Sequence, residues 1–123
     1  MPEQTVRLSV PAEPSFARAV RMMASSLAVT IEMSVDEVED VRMAAEEGFI
    51  YCCATRPEDC NITFSLAKDE IRMYFDLAGE PVDDDDSSLD LVELLLAAVC
   101  DEFGVSEDGE QLVLVKRAVA YDD

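Results

Sequence analysis

Ser34 to Ala54 reads SVDEVEDVRMAAEEGFIYCCA, and the interpretation of this stretch decides the fold. Val35, Val38, Val41, Ala45, Phe49 and Cys52 recur at intervals of three and four, the period of a helix with one face against other structure. Ser34 followed by Glu37 has the form of a capping box. Asp36, Glu37, Glu39 and Asp40 place negative charge in the early turns, where the helix dipole favours it. Arg56-Pro57 closes the helix, because a residue before proline is pushed out of the helical region. Beside the apolar stripe runs a second one, Asp36, Asp40, Met43, Glu47 and Tyr51, which stacks Glu47 and Tyr51 one turn apart. Any site on this helix is therefore expected around the paired Glu46 and Glu47.

Working outward, Gln4 to Val10 alternates, with Val6, Leu8 and Val10 on one side and Thr5, Arg7 and Ser9 on the other, as in a half-buried strand. After Pro11 and Pro14 the period changes. Phe16, Val20, Met23 and Leu27 predict a first helix running to about Ile31, with Arg18 and Arg21 off the stripe. Beyond the central helix, Asn61–Ala67 and Glu70–Leu77 alternate around Lys68-Asp69 and read as a hairpin. Ile62, Phe64, Leu66, Ile71, Met73, Phe75 and Leu77 point to the core, while Thr63, Ser65, Arg72, Tyr74 and Asp76 face water. Ala78 to Ser88 reads as an exposed linker, since four consecutive aspartates, Asp83 to Asp86, are costly to desolvate. Ser87 or Ser88 caps a third helix with almost no polar face, expected to be central and buried and to end at Phe103-Gly104. A last strand, Gln111 to Ala120, carries four apolar residues in a row, Leu112 to Val115, which predicts a place away from the sheet edge. The order is βααββαβ. The fold class is α+β: a two-layer α/β sandwich, with a mixed, mostly antiparallel sheet of about four strands and three helices on one face.

The length of 123 residues fits a single domain. Half the residues are apolar and 30% are charged, a globular composition. No apolar run approaches the roughly 20 residues that span a bilayer, and MPEQTVRLSV lacks a signal-peptide layout, so the reading is cytoplasmic with no membrane partner. The four cysteines, Cys52, Cys53, Cys60 and Cys100, read as small core residues; without histidine or a CxxC pair, no metal site is predicted. Nine Lys and Arg against 28 Asp and Glu give 9 − 28 = −19. Nucleic acid, which is bound by cationic side chains, is excluded as a direct partner. What remains is a basic partner or a surface that serves solubility.

The element order, the length and VRMAAEEGFIYCCA resemble the bacterial anti-sigma-factor serine-protein kinases, small members of the histidine-kinase-like (GHKL) ATPase fold. The resemblance covers roughly Val6 to Val119. In that family a glutamate of the central helix is followed four residues later by an asparagine that holds Mg²⁺; Glu47 matches the glutamate, but Tyr51 stands at the asparagine position. The next family box is Asp-x-Gly-x-Gly. Asp76 matches its adenine-binding aspartate, whereas Ala78 and Glu80 replace glycines and only Gly79 is nearby. The last box, a glycine-rich turn that opens the final helix, corresponds to Ser87-Ser88-Leu89-Asp90-Leu91, which has no glycine.

These departures have physical consequences. Mg²⁺ takes oxygen ligands in strict octahedral geometry, and a neutral, bulky phenol is a poor substitute. Glycine-rich turns let backbone amides reach phosphates, so Ala78, Glu80, Ser88 and Asp90 obstruct that approach and add repulsion. The resemblance therefore implies a pseudokinase-like, non-catalytic regulator of transcription. It would bind a protein, a sigma factor or an anti-sigma-factor antagonist, and pair as a homodimer through the sheet face around Arg7, Arg72 and Tyr74. Glu47, Asp76, Gly79 and Tyr51 would be relics, with no catalytic residue, no cofactor and no metal expected. The alternative is an active serine-protein kinase that uses ATP and Mg²⁺ with Glu47 as general base. The run Asp83 to Asp86 would steer a basic partner.

Overall fold

The computed structural model describes residues 3–78 and 87–119. In chain order these form β1 (Gln4–Pro11), a 3-10 turn (Pro14–Phe16), α1 (Ala17–Thr30), α2 (Val35–Ala54), β2 (Asp59–Ala67), β3 (Glu70–Asp76), α3 (Ser87–Val99), β4 (Glu102–Val105) and β5 (Gln111–Arg117). The five strands make one sheet in the order β1-β2-β3-β5-β4, every pairing antiparallel. The helices cover one face of it. Ile62, Phe64, Leu66, Ile71, Met73, Phe75, Leu112 and Leu114 are buried there, while Thr63, Arg72, Tyr74 and Val113, on the other face, are only half-buried. The α+β two-layer architecture thus follows from the period-2 alternation of β2 and β3, which supplies one apolar face to be covered.

α2 sits at the centre of the helix layer, packed between α1 and α3 and against β2, β3 and β5. Its start is built as the sequence predicts. The Ser34 hydroxyl accepts from the Glu37 N–H at 3.2 Å, and Glu37 Oε1 accepts from the Ser34 N–H at 2.8 Å. Glu37 Oε2 also accepts from the Val119 N–H at 2.6 Å, tying the segment after β5 to the start of α2. In the middle of α2 the backbone comes so close to the sheet that a Cβ on Gly48 would lie 2.7 Å from the Phe75 ring and 2.9 Å from Leu114 Cδ1. Lys116 Nζ donates to Asp40 Oδ2 at 2.9 Å, a further tie between α2 and β5.

α1 ends in a Schellman arrangement: the Glu32 N–H reaches the Val29 carbonyl at 2.9 Å and the Met33 N–H the Ala28 carbonyl at 3.2 Å. Glu32 stands at φ 63°, where glycine is usual. The buried stripe of α1 is Val20, Ala24 and Ala28, one step round from the predicted one, and Phe16, Met23 and Leu27 are only partly buried. Two of the three are alanines, and α1 packs against α2.

Four expectations are corrected. The sheet has five strands, not about four, and is wholly antiparallel, not mixed. Phe103 and Gly104, read as a helix terminus, lie inside β4, an edge strand of four residues too short to show alternation; the helix ends at Val99. α3 is not central: it lies at one side of the helix layer and, among its described side chains, buries only Val92, Leu96 and Val99. Val35, placed in the core stripe of α2, is 81% exposed at the first position of the helix. β5, in contrast, lies between β3 and β4, as its apolar run implies. The run Asp83 to Asp86, with most of the predicted linker, lies outside the described residues.

Candidate functional site

The two glutamates at the middle of α2 point to different neighbours. Arg21 Nη1 of α1 donates to Glu46 Oε1 at 2.9 Å, so Glu46 belongs to the seam between α1 and α2. Glu47 lies on the opposite flank, the one marked by Asp40, which is paired with β5, and by Tyr51, which lines a cavity with α3. Burial raises the Glu47 carboxyl above its usual range, and the charge of Glu46 adds to this.

Asp76 ends β3. Its Oδ1 accepts from Gln111 Nε2 at 2.8 Å and its backbone carbonyl from the Cys52 thiol at 3.3 Å. Two residues further on, the Ala78 N–H donates to Thr55 Oγ1 at 3.0 Å, and that hydroxyl donates to the Cys52 carbonyl at 2.7 Å. The end of β3 is thereby pinned to the last turn of α2. Beside it opens a hollow of about 800 Å³ lined by Asp76, Leu77, Ala78 and the β4–β5 turn from Asp108 to Gln111. Asp76, Asp108 and Glu110 make its rim acidic. The Ser106 hydroxyl and the Glu110 N–H hold the Asp108 carboxyl below its usual range, so it is charged at neutral pH.

The structure does not gather the predicted relics into one cavity among the described residues. Tyr51 instead lines a small cavity of about 80 Å³ with Glu93, Leu96, Phe103, Gly104, Val105 and Leu112, where α2, α3 and β4 meet. Glu47 lines neither space. Gly79 lies outside the described residues. Cys52 and Cys60 are both buried, with their sulfurs 3.3 Å apart and the Cys60 thiol pushed up as donor to Cys52. Burial pushes Cys53 up to about 11 and Cys100 up to about 12, so these thiols stay protonated at neutral pH.

Large apolar side chains are exposed around α3 and β4. Leu91 is 54% and Leu94 67% exposed, and Phe103 and Val105 on the neighbouring edge strand are also exposed. Sequence reasoning missed this surface because an apolar helix was equated with a buried one. The signal was present: Val92, Leu96 and Val99, spaced four and three apart, are enough to seat one helix face, which leaves Leu91, Leu94 and Ala98 surplus to it. Comparison with known proteins adds nothing to the geometry, since no family model and no curated protein matches this chain.

Proposed function

We propose that this chain is a non-catalytic, cytoplasmic regulatory domain of the anti-sigma-factor type, which acts by binding a protein and has lost the chemistry of its nucleotide site. The observation that carries this reading is the surface at α3 and β4. Leu91 and Leu94 on α3, and Phe103 and Val105 on the neighbouring β4, stand exposed, and large apolar side chains left in water in this number mark protein-binding surfaces. The rim of the hollow at Asp76 supports the same reading, because Asp76, Asp108 and Glu110 gather three carboxylates there and like charges repel a triphosphate. The chosen partner is a sigma factor or an anti-sigma-factor antagonist, as the family resemblance suggests.

One observation favours the alternative of an active serine kinase: the raised Glu47 carboxyl is tuned in the direction that a general base requires. Against it stands Tyr51, which the resemblance puts where the family has its metal-ligating asparagine and which lines a cavity with α3 and β4. Co-expression with a sigma factor from the same genome, followed by gel filtration without nucleotide, tests the choice. A complex that co-elutes in nucleotide-free buffer is expected. Association only with ATP and Mg²⁺, or phosphoryl transfer to a serine of an antagonist, would overturn the proposal.

A further inference from the structure

On α3, Leu91, Leu94, Leu95 and Ala98 fall at spacings of three and four and form one stripe, turned away from the buried Val92, Leu96 and Val99. Leu91, Leu94 and Ala98 are exposed and Leu95 is half-buried. Asp90 and Glu93, both exposed, flank the stripe on the side of β4, where Glu93 shares a cavity with Phe103 and Val105. Glu47 lies one turn before Tyr51 on the same flank of α2, and Tyr51 shares that cavity with Glu93 and Leu96 of α3. From Ala78 through Asp101 the sequence holds eight carboxylates, Asp101 included, and no lysine or arginine. Elsewhere most cations are paired within the chain: Arg21 with Glu46, Arg42 with Glu39, Arg72 and Arg117 with Glu70, Lys116 with Asp40.

Two consequences follow for what covers the stripe. A second copy is disfavoured, because two α3 faces brought together would set Asp90 and Glu93 against their like with no cation to separate them. A helix of opposite design fits: apolar residues at intervals of three and four to meet Leu91, Leu94 and Leu95, small Ala98 allowing close approach, and lysines or arginines on its flank to meet Asp90 and Glu93. Resting on the protein-binding reading above, we infer that the outer stripe of α3 is the docking site for a basic amphipathic helix of the partner protein.

The test uses the full chain and a rhodamine-labelled peptide of leucine, lysine and glutamine, patterned with leucine at helical spacing, with binding read by fluorescence anisotropy. A peptide of equal charge with its leucines replaced by glutamine measures pure charge attraction. Leu91→Ser with Leu94→Ser removes apolar contact without touching charge, and both residues are exposed, so the fold survives. This pair should weaken the leucine peptide at least about tenfold, the scale of a hot-spot loss, and leave the glutamine peptide unchanged. Met22→Ser with Val29→Ser, on the exposed side of α1, should change binding less than about twofold, as expected of a surface outside the contact. Asp90→Asn with Glu93→Gln should weaken binding at low salt and flatten its salt dependence. Equal losses from the α3 and α1 pairs, or none from the α3 pair, would overturn the assignment. If the α3 pair bound normally while a sigma factor still co-eluted with the wild type, the α3 site would fall and the protein-binding reading would stand. If the chain bound neither peptide nor sigma factor but did bind ATP with Mg²⁺, both would fall.

Discussion

Glu32 and Gly48 show how single positions carry opposite backbone demands. Glu32 occupies the left-handed position that closes α1, where a side chain costs about 1 kcal/mol relative to glycine. Glu32→Gly is therefore expected to stabilise the fold by about 0.5–1 kcal/mol and to raise the midpoint of thermal unfolding by a few degrees, measured by circular dichroism. At Gly48 the sign reverses. Alanine is the better helix former by about 1 kcal/mol, but its methyl would enter space held by the fully buried Phe75 and Leu114. Overpacking of a closed core costs about 1–3 kcal/mol, so Gly48→Ala should lower stability in a urea titration despite its helix propensity. Neither position stood out in the sequence. A glycine in mid-helix and a glutamate after a helix become informative only when the packing distance and the φ angle are known.

The capping residue of α2 links elements that are far apart in the chain. Burial alone would raise the Glu37 carboxyl, but the N–H groups of Ser34 and Val119 outweigh it and hold the group below its usual range. A carboxyl with a depressed folded pKa stabilises fully above its unfolded value of about 4.3, and that stabilisation is lost as pH falls through the lower folded value. Glu37→Gln should thus cost about 1–2 kcal/mol at pH 7, in line with hydrogen bonds to a charged group, and the difference from wild type should shrink below about pH 4. Urea titrations of both proteins at pH 7 and pH 3.5 measure this. Start and end signals made α2 legible, down to both halves of the capping box. The hairpin of β2 and β3 was equally plain, since each strand alternates and one face is buried. β4 was not, because four residues at a sheet edge carry no period. The position of α3 was not legible either: composition shows how apolar a helix is but not which neighbours cover it, and only the placement of α2 between α1 and α3 leaves Leu91 and Leu94 facing water.

On the scale of the whole molecule, the helix layer and the open sheet face differ in charge. The open face carries Arg7, Arg72 and Arg117, and there Arg72 and Arg117 pair with Glu70 while Arg117 also meets Glu102. Tyr74 and Val113 lie half-buried between them, next to the buried Val115 and a groove of about 300 Å³ along β4 and β5. In a chain of net charge −19, this face sets three arginines where a second copy would meet them. The proposed homodimer is therefore expected through the sheet. Light scattering at tens of micromolar should give twice the chain mass, and Tyr74→Glu should return the monomer mass. A monomer mass for the wild type would remove the dimer.

Loss of nucleotide chemistry is the claim on which the functional account turns, and Asp76, Tyr51 and the acidic rim of the hollow are its structural basis. Calorimetric titration of the purified chain with ATP and Mg²⁺ tests it most directly. Heats of dilution alone, up to millimolar nucleotide, are predicted; a saturable isotherm with a micromolar Kd would contradict the account.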